Sequence, residues 1–133
     1  MTYKSSVPMF WRLQGPKYRL VGSRCRDCMG VFFPPRDVCP NCRKRSTEEH
    51  ELKGTGEIVS YTIIRSAPEG FDKYVPYVVA IIKLDEGTNI SGQIVGNDTE
   101  KIKTGARVRP VFRRMFEDGS AGLIQYGVKW VLD

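Results

Sequence analysis

The chain has 133 residues, 41% of them hydrophobic and 27% charged, and a formal net charge of +6. This is the length of one domain, or of one small domain with a metal-stapled module, and the apolar fraction supports a core. No apolar run approaches membrane-spanning length, and Met1 to Phe10 lacks the long apolar stretch of a secretory leader, so a cytoplasmic protein with no membrane partner is expected.

The charge is unevenly placed. Between Met1 and His50 there are ten Lys or Arg against four Asp or Glu, whereas from Glu51 to Asp133 there are eleven of each. The whole excess sits on the N-terminal segment, and Arg43-Lys44-Arg45 directly follows the last cysteine. Such a field attracts a polyanion: nucleic acid, a phosphorylated cofactor or an acidic protein surface.

In chain order, Ser5 or Ser6 is placed to cap a short helix, with Pro8 tolerated in its first turn. Phe10 and Leu13 share a face, Trp11 adds bulk beside them, and Gly15-Pro16 is expected to end the helix. A helix this short is marginal alone and must pack on something. Tyr18, Arg19 and Leu20 alternate like a strand leading into the first cysteine pair.

All four cysteines stand in two close pairs, Cys25/Cys28 and Cys39/Cys42, with ten residues between the pairs. A Cys-x-x-Cys step turns two thiolates toward one point. Two such steps joined by a hairpin set four sulfurs at the corners of a tetrahedron, the closed geometry of a structural zinc ion. The connecting Val31, Phe32 and Phe33 are strand formers, and Pro34-Pro35 turns the chain. Iron binds the same sulfur set, as in rubredoxin. Disulfides are the other alternative, disfavoured by a cytoplasmic location.

Arg43 to Glu51 is charged and reads as a linker. Gly54-Thr55-Gly56 then opens a β-branched strand running to Ile64. Ser66 to Pro76 is a loop. Tyr77 to Leu84 is a second strand, apolar enough for burial on both faces, and Asp85-Glu86-Gly87 is a tight turn. Asn89 to Val95 is a third strand, with Gly92 marking a bulge or bend. Asn97 to Thr104 reads as a helical turn closed by Gly105. Arg107 to Met115 is a fourth strand in which Pro110 demands an edge or a bulge. Glu117-Asp118-Gly119 turns into a last strand or pair of strands from Gly122 to Val131. Five strands with short turns and one small helical crossing predict a closed barrel of the oligonucleotide/oligosaccharide-binding (OB) type. The fold class is therefore mainly β, with residues 1–50 as an N-terminal helix and ribbon and 51–133 as the barrel.

The order of these features resembles one family, formerly a domain of unknown function and now described as acyl-CoA-associated. It joins an N-terminal helical segment and a rubredoxin-like zinc ribbon to an OB-fold. The matching stretches are Tyr18-Arg19-Leu20, Cys25-Arg26-Asp27-Cys28, Phe33-Pro34-Pro35-Arg36 and Cys39-Pro40-Asn41-Cys42. In the barrel they are Gly54-Thr55-Gly56, Ser60-Tyr61-Thr62, Pro76-Tyr77-Val78-Val79-Ala80, Leu84-Asp85-Glu86-Gly87 and Lys103-Thr104-Gly105. One departure stands out. Such ribbons often place Gly just after each cysteine pair, where this chain has Met29 and Arg43, and Gly30 comes one residue late. The resemblance implies a non-catalytic partner of thiolase-fold enzymes. In archaea it implies a bridge between acetoacetyl-CoA thiolase and hydroxymethylglutaryl-CoA synthase, near the CoA site.

The residues themselves are poor in catalytic material. His50 is the single histidine and every cysteine is spent if the metal site forms, so no convincing set of nucleophile, base and orienting group is offered. Gly54-Thr55-Gly56 opens a strand rather than a helix and is read as a barrel-entry bend, not a phosphate loop. A CoA thioester would need cations for its phosphates. The candidates are Arg24, Arg26 and Arg36 on or beside the ribbon, with Lys17 and Arg19 behind them. Phe33, Phe71 and Trp11 are candidates to line a slot for the apolar arm, although Phe33 and Trp11 also suit packing of ribbon on helix. The alternatives are a single-strand nucleic-acid binder, whose barrel face should interleave aromatics with basic residues, and a rubredoxin-like electron carrier. The neutral charge of the barrel half argues against the first.

Overall fold

The computed structural model describes residues 6–69, 71–96, 99–117 and 120–133. Two short helices lead the chain, α1 (Val7–Arg12) and α2 (Gln14–Arg19). Ser6 caps α1 by accepting a hydrogen bond from the Met9 amide, and Pro8 sits in the first turn; the other cap candidate, Ser5, lies outside the described residues. The expected helix stop at Gly15-Pro16 is not one. Both residues lie in the first turn of α2, where a missing N–H costs nothing because it would have no intrahelical acceptor. Tyr18 and Arg19 are accordingly helical rather than strand. The chain leaves α2 through Leu20, which takes the left-handed conformation at φ 52°.

Three strands form the ribbon sheet, ordered β2 (Val31–Phe32), β1 (Val21–Cys25), β3 (Thr47–Glu51). The expected linker thus supplies a strand. Its partner β1 pairs with it from Val21↔Glu51 to Cys25↔Thr47, so pairing, not apolar alternation, makes Thr-Glu-Glu-His-Glu extended.

The barrel is closed by β4 (Gly56–Ile64), β5 (Tyr77–Leu84), β6 (Asn89–Ile94), β7 (Arg107–Glu117) and β8 (Ile124–Leu132), in the order β4-β5-β6-β8-β7. A 3-10 turn at Thr99–Lys101 crosses between β6 and β7, and Gly105 ends that crossing at φ +88°. The turn expected at Asp118-Gly119 lies outside the described residues. β5 is buried on one face only: Val78, Ala80, Ile82 and Leu84 point into the core while Ile81 is 44% exposed. Pro110 meets its requirement. β7 pairs with β4 only at Arg107 and Val108, leaving the β4-side edge of Pro110 without a ladder partner.

Gly92 does not mark a bulge. The β5–β6 register runs unbroken from Val78↔Ile94 to Lys83↔Asn89, and a Cβ on Gly92 would land on the Trp130 ring. Trp130 is 2% exposed and fills the barrel with Ile58, Ile82, Leu84 and Val108. The core does not stop at the barrel: Leu20 and Leu52 belong to the same cluster, with Val31 and Phe33 of the ribbon packed against it.

Gly54 is the joint between the two layers. Its φ of +81° suits glycine, and any Cβ there would press on Leu20 Cδ1 at 2.6 Å and Pro110 at 3.0 Å. Its carbonyl accepts from Trp130 Nε1 at 2.9 Å. The Leu52 amide donates to the Leu20 carbonyl at 3.0 Å, tying the helix end to the strand that enters the barrel.

Candidate metal centre and junction slot

Cys25 ends β1, Cys28 follows in the first turn, and Cys39 and Cys42 stand in the second. The four sulfurs all lie within 4.8 Å of one another. Cys25 and Cys42 Sγ are 3.5 Å apart, and Cys28 and Cys39 Sγ are 3.4 Å apart. A tetrahedral ion with Zn–S bonds of about 2.3 Å sets its sulfurs about 3.8 Å apart, so the cluster is the right size to close on one metal. Cys25 and Cys39 are buried, whereas Cys28 is exposed.

The two turns repeat one design. Met29 N donates to Cys25 O at 3.0 Å and Arg43 N to Cys39 O at 2.9 Å. Met29 and Arg43 then take φ of 62° and 61°, the left-handed region where glycine is the cheapest residue. These are the two positions at which the sequence departs from the family habit. The backbone keeps the glycine-type turn and places a side chain in it. The turn amides face sulfur. Those of Cys42 and Asn41 hold the Cys39 thiol down to about 6 against the opposition of burial. For Cys42 the Lys44 amide pulls down, but burial and the neighbouring Cys25 and Cys39 sulfurs outweigh it and push the thiol up to about 11. A cation bound among the four sulfurs would displace their protons and stabilise all four as thiolates.

The second feature is a cavity of about 430 Å³ where helices, ribbon and barrel meet. Phe10 and Lys17 supply its helical side, Phe33 its ribbon side, and Ile90, Val128 and Trp130 its barrel side. Lys17 Nζ lies 5.1 Å from the centre of the Phe10 ring, a cation–π contact that holds the ammonium at this apolar junction. Beside the cavity runs a chain of rings. Phe10 meets Tyr18 edge-on at 5.8 Å, Tyr18 meets Phe112 at 5.3 Å, and Phe112 stacks on Tyr126 at 5.5 Å. Phe112 and Tyr126 remain substantially exposed, as do Val7 and Trp11 of α1.

The sequence candidates divide. Lys17 and Phe33 line the slot together. Arg19 lines an adjacent groove of about 210 Å³ with Tyr18, Lys53 and Phe112. Arg26 pairs with Glu48 at 3.3 Å, and Arg24 Nη2 reaches Met29 Sδ at 3.7 Å. Arg36 is exposed, its amide donating to Ser23 Oγ at 2.9 Å. Phe71 is elsewhere, packed on Tyr74 and Tyr77 in the β4–β5 loop. Trp11 is 71% exposed, so it does not pack the ribbon on the helix. His50 stands half-buried on β3 opposite Gly22. The slot walls on β6 and β8 escaped sequence reasoning, because only the closed barrel brings Ile90, Val128 and Trp130 together.

Comparison with known proteins agrees with this architecture. Residues 14–48 match the ChsH2 rubredoxin-like zinc ribbon domain, and residues 49–113 match the ChsH2 C-terminal OB-fold domain. A DUF35 domain-containing scaffold protein of Methanocaldococcus jannaschii is 46% identical over 90% of this chain and 86% of its own length. A probable enoyl-CoA hydratase alpha subunit of Thermomonospora curvata is 36% identical over 74% of this chain, which spans 31% of that protein. Among solved structures, a chain of the Ltp2-ChsH2(DUF35) aldolase superposes with a TM-score of 0.70 at 28% identity, covering 99% of this chain and 98% of that one. Ribbon, barrel and relatives agree: the chain belongs to the DUF35 family of ChsH2-type zinc-ribbon and OB-fold proteins.

Proposed function

We propose that the protein is a non-catalytic, acyl-CoA-associated scaffold that docks a thiolase-fold enzyme and contributes one wall of a CoA site. Acetoacetyl-CoA thiolase and hydroxymethylglutaryl-CoA synthase are the enzymes it would bridge. The junction slot carries this reading. At about 430 Å³ it lies at the small end of ligand cavities, roughly 300–1,000 Å³, enough for a pantetheine-like arm but not for a nucleotide as well. Its apolar walls suit the arm, and the exposed Tyr126 at its rim with Phe112 stacked on it suits burial against a protein. Lys17, Arg19 and Arg36 supply cations for the phosphates outside the slot. Relatives named as scaffolds and a structural neighbour within an aldolase complex support the same reading. The four-cysteine centre takes a structural zinc ion in it, held by Cys25, Cys28, Cys39 and Cys42. Zinc there stabilises the ribbon and supplies no chemistry, because the four thiolates leave no open position.

The nucleic-acid reading is weaker. Such a barrel would present interleaved aromatic and basic residues on β5 and β6. The exposed positions there include Ile81, Lys83, Asn89 and Ser91, with no aromatic among them.

The test is reconstitution with purified thiolase and synthase from the same source. A stable complex is expected, binding CoA more tightly than its separate components and showing no thioester turnover by this chain alone. Ser91→Trp fills the slot from an exposed position and should abolish the CoA effect, and Arg36→Ala should weaken it with the fold intact. Turnover by the isolated chain, or CoA binding unchanged by Ser91→Trp, would refute the reading.

A further inference from the structure

β4 meets β7 only at its start, through Gly56↔Val108 and Glu57↔Arg107. The next residue, Ile58, is tied to the crossing that precedes β7: its amide donates to the Ala106 carbonyl and its carbonyl accepts from the Gly105 amide. Beyond it, among the described residues, nothing pairs with the edge of β4 that faces away from β5 along residues 59–64. The side chains are open as well. Val59, Ser60, Tyr61 and Thr62 are all exposed, and so is Ile81, the β5 neighbour of Ser60.

An unpaired strand edge is a template for another strand, and proteins ordinarily guard it with proline, charge or a bulge. The β4-side edge of β7 is guarded in all three ways: by Pro110, by Arg109, Arg113 and Arg114, and by the shift in register between Arg114 and Phe116. β4 is not. Past its bulge residue Val59 it reads Ser-Tyr-Thr-Ile-Ile, with neither charge nor proline and with a high preference for extended structure.

The segment is also its own complement. Run antiparallel to a second copy about Tyr61, it sets Val59 against Ile63 and Ser60 against Thr62, with the two Tyr61 rings at the centre. Tyr61 and Ile63, opposite Ala80 and Val78, share one face, whereas Ser60 and Thr62, opposite Ile81 and Val79, share the other. Aromatic and β-branched side chains thus gather on one side and hydroxyls on the other, the cross-strand matches that stabilise a sheet. Glu57 and Arg65 stand four residues to either side of Tyr61, and among the described residues neither forms an ion pair within the chain. The same antiparallel run carries each carboxylate to the end where the other copy's guanidinium lies. A parallel run would bring like charges together.

We propose that the free edge of β4 pairs with the same edge of a second copy, antiparallel about Tyr61, so that two barrels share one continuous sheet. The contact is isologous and closes at two copies. Residues 59–63 of each strand take part, because Ile58 is already bonded. So short a ladder buries less than a standard interface, and the association is weak and concentration-dependent. It is independent of the slot and stands whether or not CoA binds there.

Sedimentation of the full chain at saturating zinc, from about 10 µM to about 1 mM, tests this, with a monomer–dimer midpoint expected on the order of 0.1 mM. Tyr61→Lys, at an exposed position, sets two ammonium groups at the two-fold and should weaken the dimer about tenfold or more. Glu57→Arg and Arg65→Glu should each weaken it by about fivefold. An equimolar mixture of those two variants should associate as tightly as the parent, because the mixed dimer restores both charge pairs. A chain that stays monomeric at about 1 mM overturns the proposal and leaves the edge to a strand of another protein. A dimer that Tyr61→Lys does not weaken uses a different surface, and a mixture no tighter than its separate variants excludes the antiparallel register; either result overturns the proposal too.

Discussion

Gly92→Ala tests the packing on which the barrel and the slot both depend. The added methyl lands on the Trp130 ring, which cannot swing aside freely because its Nε1 is tied to the Gly54 carbonyl at 2.9 Å. Either the ring moves and orphans a buried donor, at about 1–3 kcal/mol, or β6 parts from β8, where Val95 N meets Trp130 O at 2.8 Å. Overpacking itself costs about 1–3 kcal/mol. Replacing Gly by Ala returns roughly 0.5–1 kcal/mol of unfolded-state entropy. The net expectation is a loss of about 2–4 kcal/mol. Urea unfolding at saturating zinc measures it, followed by fluorescence in a Trp11→Phe background so that Trp130 reports alone; Trp11 is 71% exposed, and its replacement should be neutral. Stability within about 0.5 kcal/mol of the parent, with unshifted Trp130 emission, would show that the ring does not hold the place we assign it.

Cys39→Ser should weaken zinc binding by orders of magnitude and melt the ribbon sheet, since metal-binding energy there is folding energy; full metal content with an unchanged melting curve would count against the four-sulfur centre. Met29→Gly and Arg43→Gly should each stabilise the metal-loaded protein by about 0.5–1 kcal/mol, by removing a side chain from a left-handed turn, and thermal melts at saturating zinc decide this. Asp85 receives both Arg107 guanidinium N–H groups at 2.8 Å and the Thr55 hydroxyl, which hold its carboxyl down from 3.8 to about 2. A depressed carboxyl stabilises the fold above its unfolded pKa and loses that contribution as pH falls through the folded one. Asp85→Asn should therefore melt below wild type at neutral pH, with the gap closing between about pH 4 and pH 2; a constant gap would sink the assignment.

The metal centre was legible because it needs few residues at short spacing, and ligand chemistry restricts them to cysteine. The barrel was legible because β-branched runs and glycine turns recur along the chain. What failed did so for physical reasons. β3 carries no apolar alternation, only Thr47-Glu48-Glu49-His50-Glu51, and is a strand because β1 offers it hydrogen bonds. α2 was hidden by Gly15-Pro16, which stops a helix in its interior but not in its first turn. The slot has no local signal at all: its walls come from Phe10, Phe33, Ile90 and Trp130, residues that only the closed fold brings together. Lys129 reads in sequence as an ordinary strand lysine, and only the fold lays the Tyr74 ring over its ammonium.

The distance between metal and slot is spanned by continuous structure. The cysteine cluster fixes the end of β1, β1 holds β3, and Leu52 just beyond β3 is bonded to Leu20 at the end of α2. Leu20 presses on Gly54, whose carbonyl holds Trp130, and both Leu20 and Trp130 line the slot. If metal loading orders the slot along this path, a ligand of the slot must in turn raise metal affinity by the same factor, because coupling between two binding equilibria is reciprocal. A zinc site with no open position can in this way govern affinity at a site it never touches. That gives the ribbon a reason to be packed on the barrel instead of merely tethered to it.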